Sequence, residues 1–398
     1  MPELLLLYGA SLVLAFYMAW GLGANDAANP CNCVVGAGVY SVRKALYTFV
    51  LFSTLGGILF GSFVMKTFDR GLIHREQFET GTLVLGSLCA ALAGCLWVTF
   101  STWMGMPVST THSVLGGVLG FALATGAPIR WSVAKKAFLS IPLSPLVAMV
   151  LAAALFFLLR RYFGRPRRKL SNLLLFFLLY LPLFLTLFLS LFLGILKWGW
   201  ERSLYFTLLC SSLCLFTLLL WVRGAEGVEL SSKLLIIVHF LSAFAFGAND
   251  MANATGVFIT PTERVVGLPT TSTMFFLSLM GAVGIALGAF SWGYKVIDTA
   301  GYKVCRLNPL TGLAAEYSQA FTVLVFTTIP ALLWKFGIPI STSISNIGTV
   351  IGVGLAMGGI GAINRRTTIK IFLFWILTIP CAALLSAGLF KLAKAVVA

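Results

Sequence analysis

The sequence predicts an all-α polytopic membrane protein of about 12 transmembrane segments, built as two inverted-topology repeats with broken helices. Three observations predict this. The 398 residues are 59% hydrophobic and 10% charged, with a mean hydropathy of +0.97, too little polar surface for a water-soluble chain of this length. Apolar stretches of about 20 residues, long enough to cross a bilayer as a helix, recur from end to end. The tetrapeptide Gly-Ala-Asn-Asp occurs at 23–26 and again at 247–250, placing the same carboxylate in an apolar stretch twice. Leu/Phe runs such as 173–193 do not alternate, which excludes an outer-membrane barrel.

Reading apolar runs between charged or Pro/Gly-rich breaks places segments near 4–36, 45–65, 82–103, 107–126, 133–159, 171–196, 203–222, 234–257, 270–293, 317–336, 339–360 and 369–390. Segment one holds 39 residues between Glu3 and Arg43 with Asp26 as its only charge. That is about twice a straight span at about 1.5 Å per residue, so the helix is expected to break. Gly21, Gly23, Asn25, Asn29 and Pro30 supply the break through poor helix propensity and a missing backbone donor. The run at 4–20 lacks a basic leader and is expected to be retained as membrane helix.

Segments four and eleven open on Pro-Val-Ser-Thr-Thr (107–111) and Pro-Ile-Ser-Thr-Ser (339–343). Proline suits a first helical turn and Ser/Thr are favoured caps, so both read as helix starts inside apolar sequence. Between segments five and six, Arg160, Arg161, Arg165, Arg167, Arg168 and Lys169 crowd together, which puts that loop in the cytoplasm and both termini outside. Segments six and seven are Leu/Phe-rich and suit a lipid-facing scaffold, or a subunit-facing one in a homodimer. Segment eight repeats the features of segment one with Gly247, Asn249, Asp250, Asn253 and Gly256, though without the proline, and is also expected to break.

The repeat extends beyond the tetrapeptide. Gly105–Thr110 recurs as Gly337–Thr342 at an offset of 232, and Gly116 and Gly120 recur as Gly348 and Gly352. Segments one to five thus match eight to twelve, and the seven crossings between segments one and eight make the halves opposite in direction. The expected organisation is a first repeat at 1–160, a basic loop with two spacer helices at 161–232, and a second repeat at 233–398.

Asp26 and Asp250 read as the only acidic residues within long apolar stretches, and intramembrane carboxylates mark ion or substrate pathways. With carbonyls freed at a helix break they form a hard oxygen set suited to Na⁺. Helix N-termini offer N–H groups and a positive dipole end, which suit a tetrahedral oxyanion such as phosphate or sulfate. The paired glycines have the spacing of close helix packing. His112 is either a proton or substrate contact or a structural histidine, and His239 has no partner motif.

The excess of 28 basic over 12 acidic residues gives a net charge of +16, spread through short loops. It reads as topology signalling and contact with membrane lipid, and no basic domain exists to bind nucleic acid. The eight cysteines show no CxxC spacing and imply neither disulfide nor metal cluster.

Taken together, GANDAANP and GANDMANA, with PVSTTHSVLGG and PISTSISNIG, resemble the inorganic phosphate transporter (PiT) family over about 1–160 and 233–398. The resemblance implies a secondary carrier of the cell (cytoplasmic) membrane, taking up inorganic phosphate with Na⁺ or H⁺ and using no other cofactor. It implies a phosphate site at Asn25, Asp26, Ser109, Thr110, Thr111, Asn249, Asp250, Ser341, Thr342 and Ser343, and a cation site at Asp26, Asn29, Asp250 and Asn253. The second half departs from the first with Ser343 for Thr111 and with Ile344–Asn346, which leaves a sulfate carrier of the same family as the alternative. A membrane enzyme would need a nucleophile with its base, or a Cys/His cluster, and the sequence offers neither. An anion channel would call for charged rings or carbonyl filters from identical subunits, whereas inverted duplication favours alternating access.

Overall fold

Segment one folds as two helices, α1 (Pro2–Asp26) and α2 (Ala28–Gly36), separated by Ala27 alone. The computed structural model describes residues 2–68, 73, 78–163, 180, 184, 198–255, 271–323 and 341–397. Pro30 lies in the first turn of α2 and has no N–H to offer the carbonyl of Asp26 four residues back, so the helix is interrupted there. The interruption is a one-residue turn, with Ala27 still at φ −56° and ψ −23°, and not the longer unwound stretch that the sequence suggested.

The first half continues with α3 (Val42–Phe68), α4 (Thr80–Trp103), α5 (Thr110–Thr125) and α6 (Trp131–Phe163). Next come α7 (Trp200–Val222) and α8 (Gly227–Thr255). Here the structure corrects the sequence reading, because α8 runs unbroken through Gly247, Asn249, Asp250 and Asn253. No proline stands where Pro30 stands in the first half, so no backbone donor is lost. Gly256 falls outside the described residues, as do 164–170 of the basic loop, segment six apart from Tyr180 and Phe184, and 337–340.

Two elements begin or end away from their expected positions. Helix α9 (Thr271–Gly288) does not stop near 293 but passes through a π-turn (Ala289–Gly293), α10 (Tyr294–Asp298) and a second π-turn (Thr299–Lys303). The charges that suggested a loop are accommodated along its edge, Lys295 over the Trp292 ring at 4.4 Å and Lys303 paired with Asp298. Helix α11 (Pro309–Val323) starts eight residues before the expected 317. Its signal is Asn308-Pro309, since the Asn308 side chain accepts from the backbone N–H groups of Leu310 and Thr311, both at 3.0 Å. Helix α12 (Thr342–Gly358), a 3₁₀ turn (Gly359–Ala362) and α13 (Arg365–Val397) complete the chain.

Seven of the described helices are long and apolar enough to cross a membrane. Helices of the two halves pack in couples: α1 on α9 and α3 on α8, α5 on α13 and α6 on α12, α4 on α5 and α11 on α12, α1 on α4 and α8 on α11. Exchanging segments one to five with eight to twelve converts the first pair of each couple into the second. The duplicated glycines sit at these crossings. A Cβ at Gly23 would lie 1.9 Å from the Ile285 carbonyl oxygen, and one at Gly247 would lie 1.8 Å from that of Ser53. Gly120 and Gly352 approach the carbonyls of Ala383 and Met149 in the same way, at 2.0 and 2.3 Å. Only a residue without a side chain lets these backbones come so close.

Candidate functional site

The site is assembled around two serines that start helices. Ser109 has extended backbone and accepts a hydrogen bond from the His112 N–H at 3.2 Å, capping α5. Ser341 does the same for α12, accepting from the Ile344 N–H at 3.3 Å. Ser113 and Ser345, one turn on, each donate back to their cap's carbonyl at 2.8 Å. The two motifs therefore fold alike, and both caps are buried.

Asn25 holds the segment leading into α5. Its amide donates to Thr102 Oγ1 at 2.9 Å and to the Met106 carbonyl at 3.1 Å, and its oxygen accepts from the Val108 N–H at 3.0 Å. With both amide protons and the oxygen engaged, Asn25 shapes this approach, where Gly105 takes φ +70°. Trp375 on α13 braces the same segment by donating from its indole N–H to the Pro107 carbonyl at 3.0 Å.

Asp26 joins the two helix starts. It is 1% exposed, and its carboxylate accepts from Thr110 at 2.9 Å and from Ser343 at 3.0 Å, one oxygen serving each helix. Asn29, one turn further along the chain, donates to the Ser343 oxygen at 3.0 Å, so that hydroxyl both accepts and donates. Asp250 is 7% exposed and lies within electrostatic reach of Asp26, so the two tetrapeptides place their carboxylates in one region. Thr111 and Thr342 are half-buried beside the caps. The side chains of Asn249 and Asn253 fall outside the described part.

Beyond these residues lies a network that the sequence reading missed. The Asn346 amide donates to the Asn29 carbonyl at 2.8 Å and to Gln319, while Asn32 donates to the Asn346 oxygen. An amide nitrogen carries two protons, so a third approach, to the Asn32 oxygen at 3.4 Å, is the weakest. Three amides in apolar helices were the available signal: Asn32 and Gln319 stand outside the repeated motifs, and Asn346 falls where the second motif departs from the first.

Glu316 on α11 corrects the view that Asp26 and Asp250 are the only acids at depth. It is fully buried beside Cys33 and Ser242, and neither carboxylate oxygen closes a hydrogen bond among the described residues. In the sequence it stands one residue before the apolar run that starts at 317, and so looks like a loop residue. His112 is buried, with its Nε2 3.1 Å from Ser140 Oγ.

A carboxylate held between two capped helix starts, with a second carboxylate near, offers oxygen ligands to a cation, and the helix starts beside it offer backbone N–H groups to an anion. The profile of the phosphate transporter family matches residues 22–386 of the chain. The chain belongs to the phosphate transporter family. Within this family, a provisionally named phosphate permease of Pyrococcus horikoshii is 33% identical over 409 residues, covering 96% of each chain. A protein of the same provisional name from Haemophilus influenzae is 28% identical, covering 99% of each chain. A solved structure described as "The sodium-dependent phosphate transporter" superposes with a TM-score of 0.86 at 30% identity, covering 98% of this chain and 99% of that one. This member of the phosphate transporter family is thus a multi-pass helical membrane protein with the architecture of a solved transporter.

Proposed function

We propose that the chain is a secondary active transporter that moves inorganic phosphate together with Na⁺ across the cytoplasmic membrane by alternating access. One observation carries this reading: Asp26 accepts hydrogen bonds at once from Thr110 and Ser343, hydroxyls at the starts of α5 and α12. A hydrogen bond to a charged group is worth about 1.5–3 kcal/mol. Two such bonds, about 3–6 kcal/mol together, are of the size of the several kcal/mol that burying one carboxylate costs, but they do nothing for the repulsion between Asp26 and Asp250. A cation shared by the two carboxylates offsets that repulsion, and its charge favours an anion at the adjacent helix starts. Na⁺ is preferred over H⁺ because the similar solved structure is of a sodium-dependent transporter.

The phosphate ligands in this reading are Ser109, Thr110, Thr111, Ser341, Thr342 and Ser343, with Asn25, Asp26, Asn249 and Asp250 completing the site. The cation ligands are Asp26, Asn29, Asp250 and Asn253. The halves at 1–160 and 233–398 act as inverted repeats, a view supported by the exchange-related couples of packed helices. Rocking of one half against the other opens the site to alternate sides, with the 160–169 loop cytoplasmic and both termini outside.

Uptake of labelled phosphate into proteoliposomes tests the proposal. An inward Na⁺ gradient should drive saturable accumulation above equilibrium, abolished when K⁺ replaces Na⁺. Accumulation that follows a pH gradient and ignores Na⁺ would reassign the coupling ion, and flux that only equilibrates would favour a channel.

A further inference from the structure

His239 is a buried side chain that the proposed transport site does not use, yet it connects the two halves next to that site. It lies on α8 and is fully buried. Its Nδ1 is 2.7 Å from the Pro30 carbonyl on α2, and its Nε2 is 2.8 Å from Thr48 Oγ1 on α3. A carbonyl oxygen only accepts, so Nδ1 carries the ring proton. Nε2 lies within hydrogen-bond distance of Thr48 Oγ1, a hydroxyl that also reaches the Lys44 and Ala45 carbonyls at 3.0 Å, and Tyr40 packs against the ring edge with centroids 6.1 Å apart.

Pro30 stands one turn after Asp26, at the interruption between α1 and α2. Its ring gives the Asp26 carbonyl no helical donor, and its own carbonyl is the one His239 takes. On α8, His239 and Asp250 are eleven residues apart, about three turns at 3.6 residues per turn, so both project from one face. Helix α8 therefore meets the first half at two levels: His239 on the turn that follows Asp26, and Asp250 within electrostatic reach of Asp26 itself. A rotation or slide of α8 that changed the spacing of the two carboxylates would also stretch the bond from His239 to Pro30.

We infer that His239 is a positioning residue for cation coupling: its Nδ1–H bond to the Pro30 carbonyl sets the register of α8 on α2, and so the spacing of Asp26 and Asp250. The inference rests on the coupled-transport reading above. Two amide replacements of similar polarity separate this role from general packing. In His239→Asn the amide nitrogen occupies the place of Nδ1 and still reaches Pro30. In His239→Gln it extends toward the place of Nε2, keeping Thr48 and losing Pro30.

The test is the cation concentration giving half-maximal phosphate uptake in proteoliposomes, for whichever of Na⁺ or H⁺ drives the wild type. His239→Asn should stay within about threefold of wild type, and His239→Gln should be raised at least tenfold with its phosphate KM changed less than threefold. Equal behaviour of the two variants, whether both unchanged, both shifted or both failing to reach the membrane, would overturn the inference. Wild-type uptake indifferent to either cation would remove the coupling reading and this inference with it, and that result is visible before any variant is made.

Discussion

Asp26 accepts a hydrogen bond from Ser343, 317 residues away in the chain, at 3.0 Å. The donor belongs to the first turn of α12 and the acceptor to the end of α1, so one bond ties the halves together where both duplicated motifs meet. Its other oxygen is held by Thr110 of the first half. The carboxylate is thus shared between the two helix starts, and changes at either start should be felt through it.

Removing the charge tests the cation assignment. Asp26→Asn and Asp250→Asn keep the shape of the side chain and lose its charge, so each should abolish Na⁺-dependent uptake while leaving membrane insertion intact. Uptake should be measured with and without Na⁺ at equal protein density in the membrane. Wild-type cation dependence in both variants would end the assignment.

Ser343 donates to Asp26 and accepts from Asn29. Ser343→Ala removes both bonds and leaves a buried carboxylate one partner short, a cost of about 1–3 kcal/mol that corresponds to about 5- to 150-fold. The half-saturating Na⁺ concentration should shift by a factor within that range, and Ser343→Thr should restore it by keeping the hydroxyl. An alanine variant with unchanged Na⁺ dependence would show that this bond serves folding alone.

Close helix approach predicts a contrast among glycines. Gly23→Ala and Gly247→Ala push a methyl group onto the carbonyls of Ile285 and Ser53, whereas Gly81 and Gly388 have open space where a Cβ would go. Overpacking costs about 1–3 kcal/mol, so the first two variants should lower the unfolding temperature in detergent and the alanines at 81 and 388 should not. Four equal melting curves would contradict the crossings described.

These residues show how much the sequence discloses. The tetrapeptides and the Pro-x-Ser-Thr starts were legible because they are duplicated, and the structure joins Asp26 to both helix starts. The glycines were legible by spacing, and the structure places them at backbone contacts. Glu316, Asn32, Gln319 and Asn346 were not, because each is a single polar residue whose partners lie on other helices. The interruption of α8 was wrongly expected because glycine and asparagine only weaken a helix, while the proline that interrupts α1 has no counterpart. The extension of α9 was hidden because Lys295, Asp298 and Lys303 look like a loop until their partners are known.

Anion choice follows from acceptors in the site. Phosphate near neutral pH carries an O–H and sulfate only accepts, so a carboxylate facing that O–H would meet a repelling lone pair in sulfate. An unpaired buried group costs about 1–3 kcal/mol, or about 5- to 150-fold. Phosphate, and arsenate as its protonated mimic, should therefore compete for uptake at least tenfold better than sulfate. Equal competition would favour a sulfate carrier and leave the carboxylates facing only the cation.

The central claim is that both halves build one site, and a structure determined with arsenate and Na⁺ tests it most directly. The account predicts arsenate between the first turns of α5 and α12, within hydrogen-bond distance of Thr110 or Thr111 and of Thr342 or Ser343, with Na⁺ on Asp26 and Asp250. Arsenate bound to one half alone, or Na⁺ with neither carboxylate among its ligands, would contradict it.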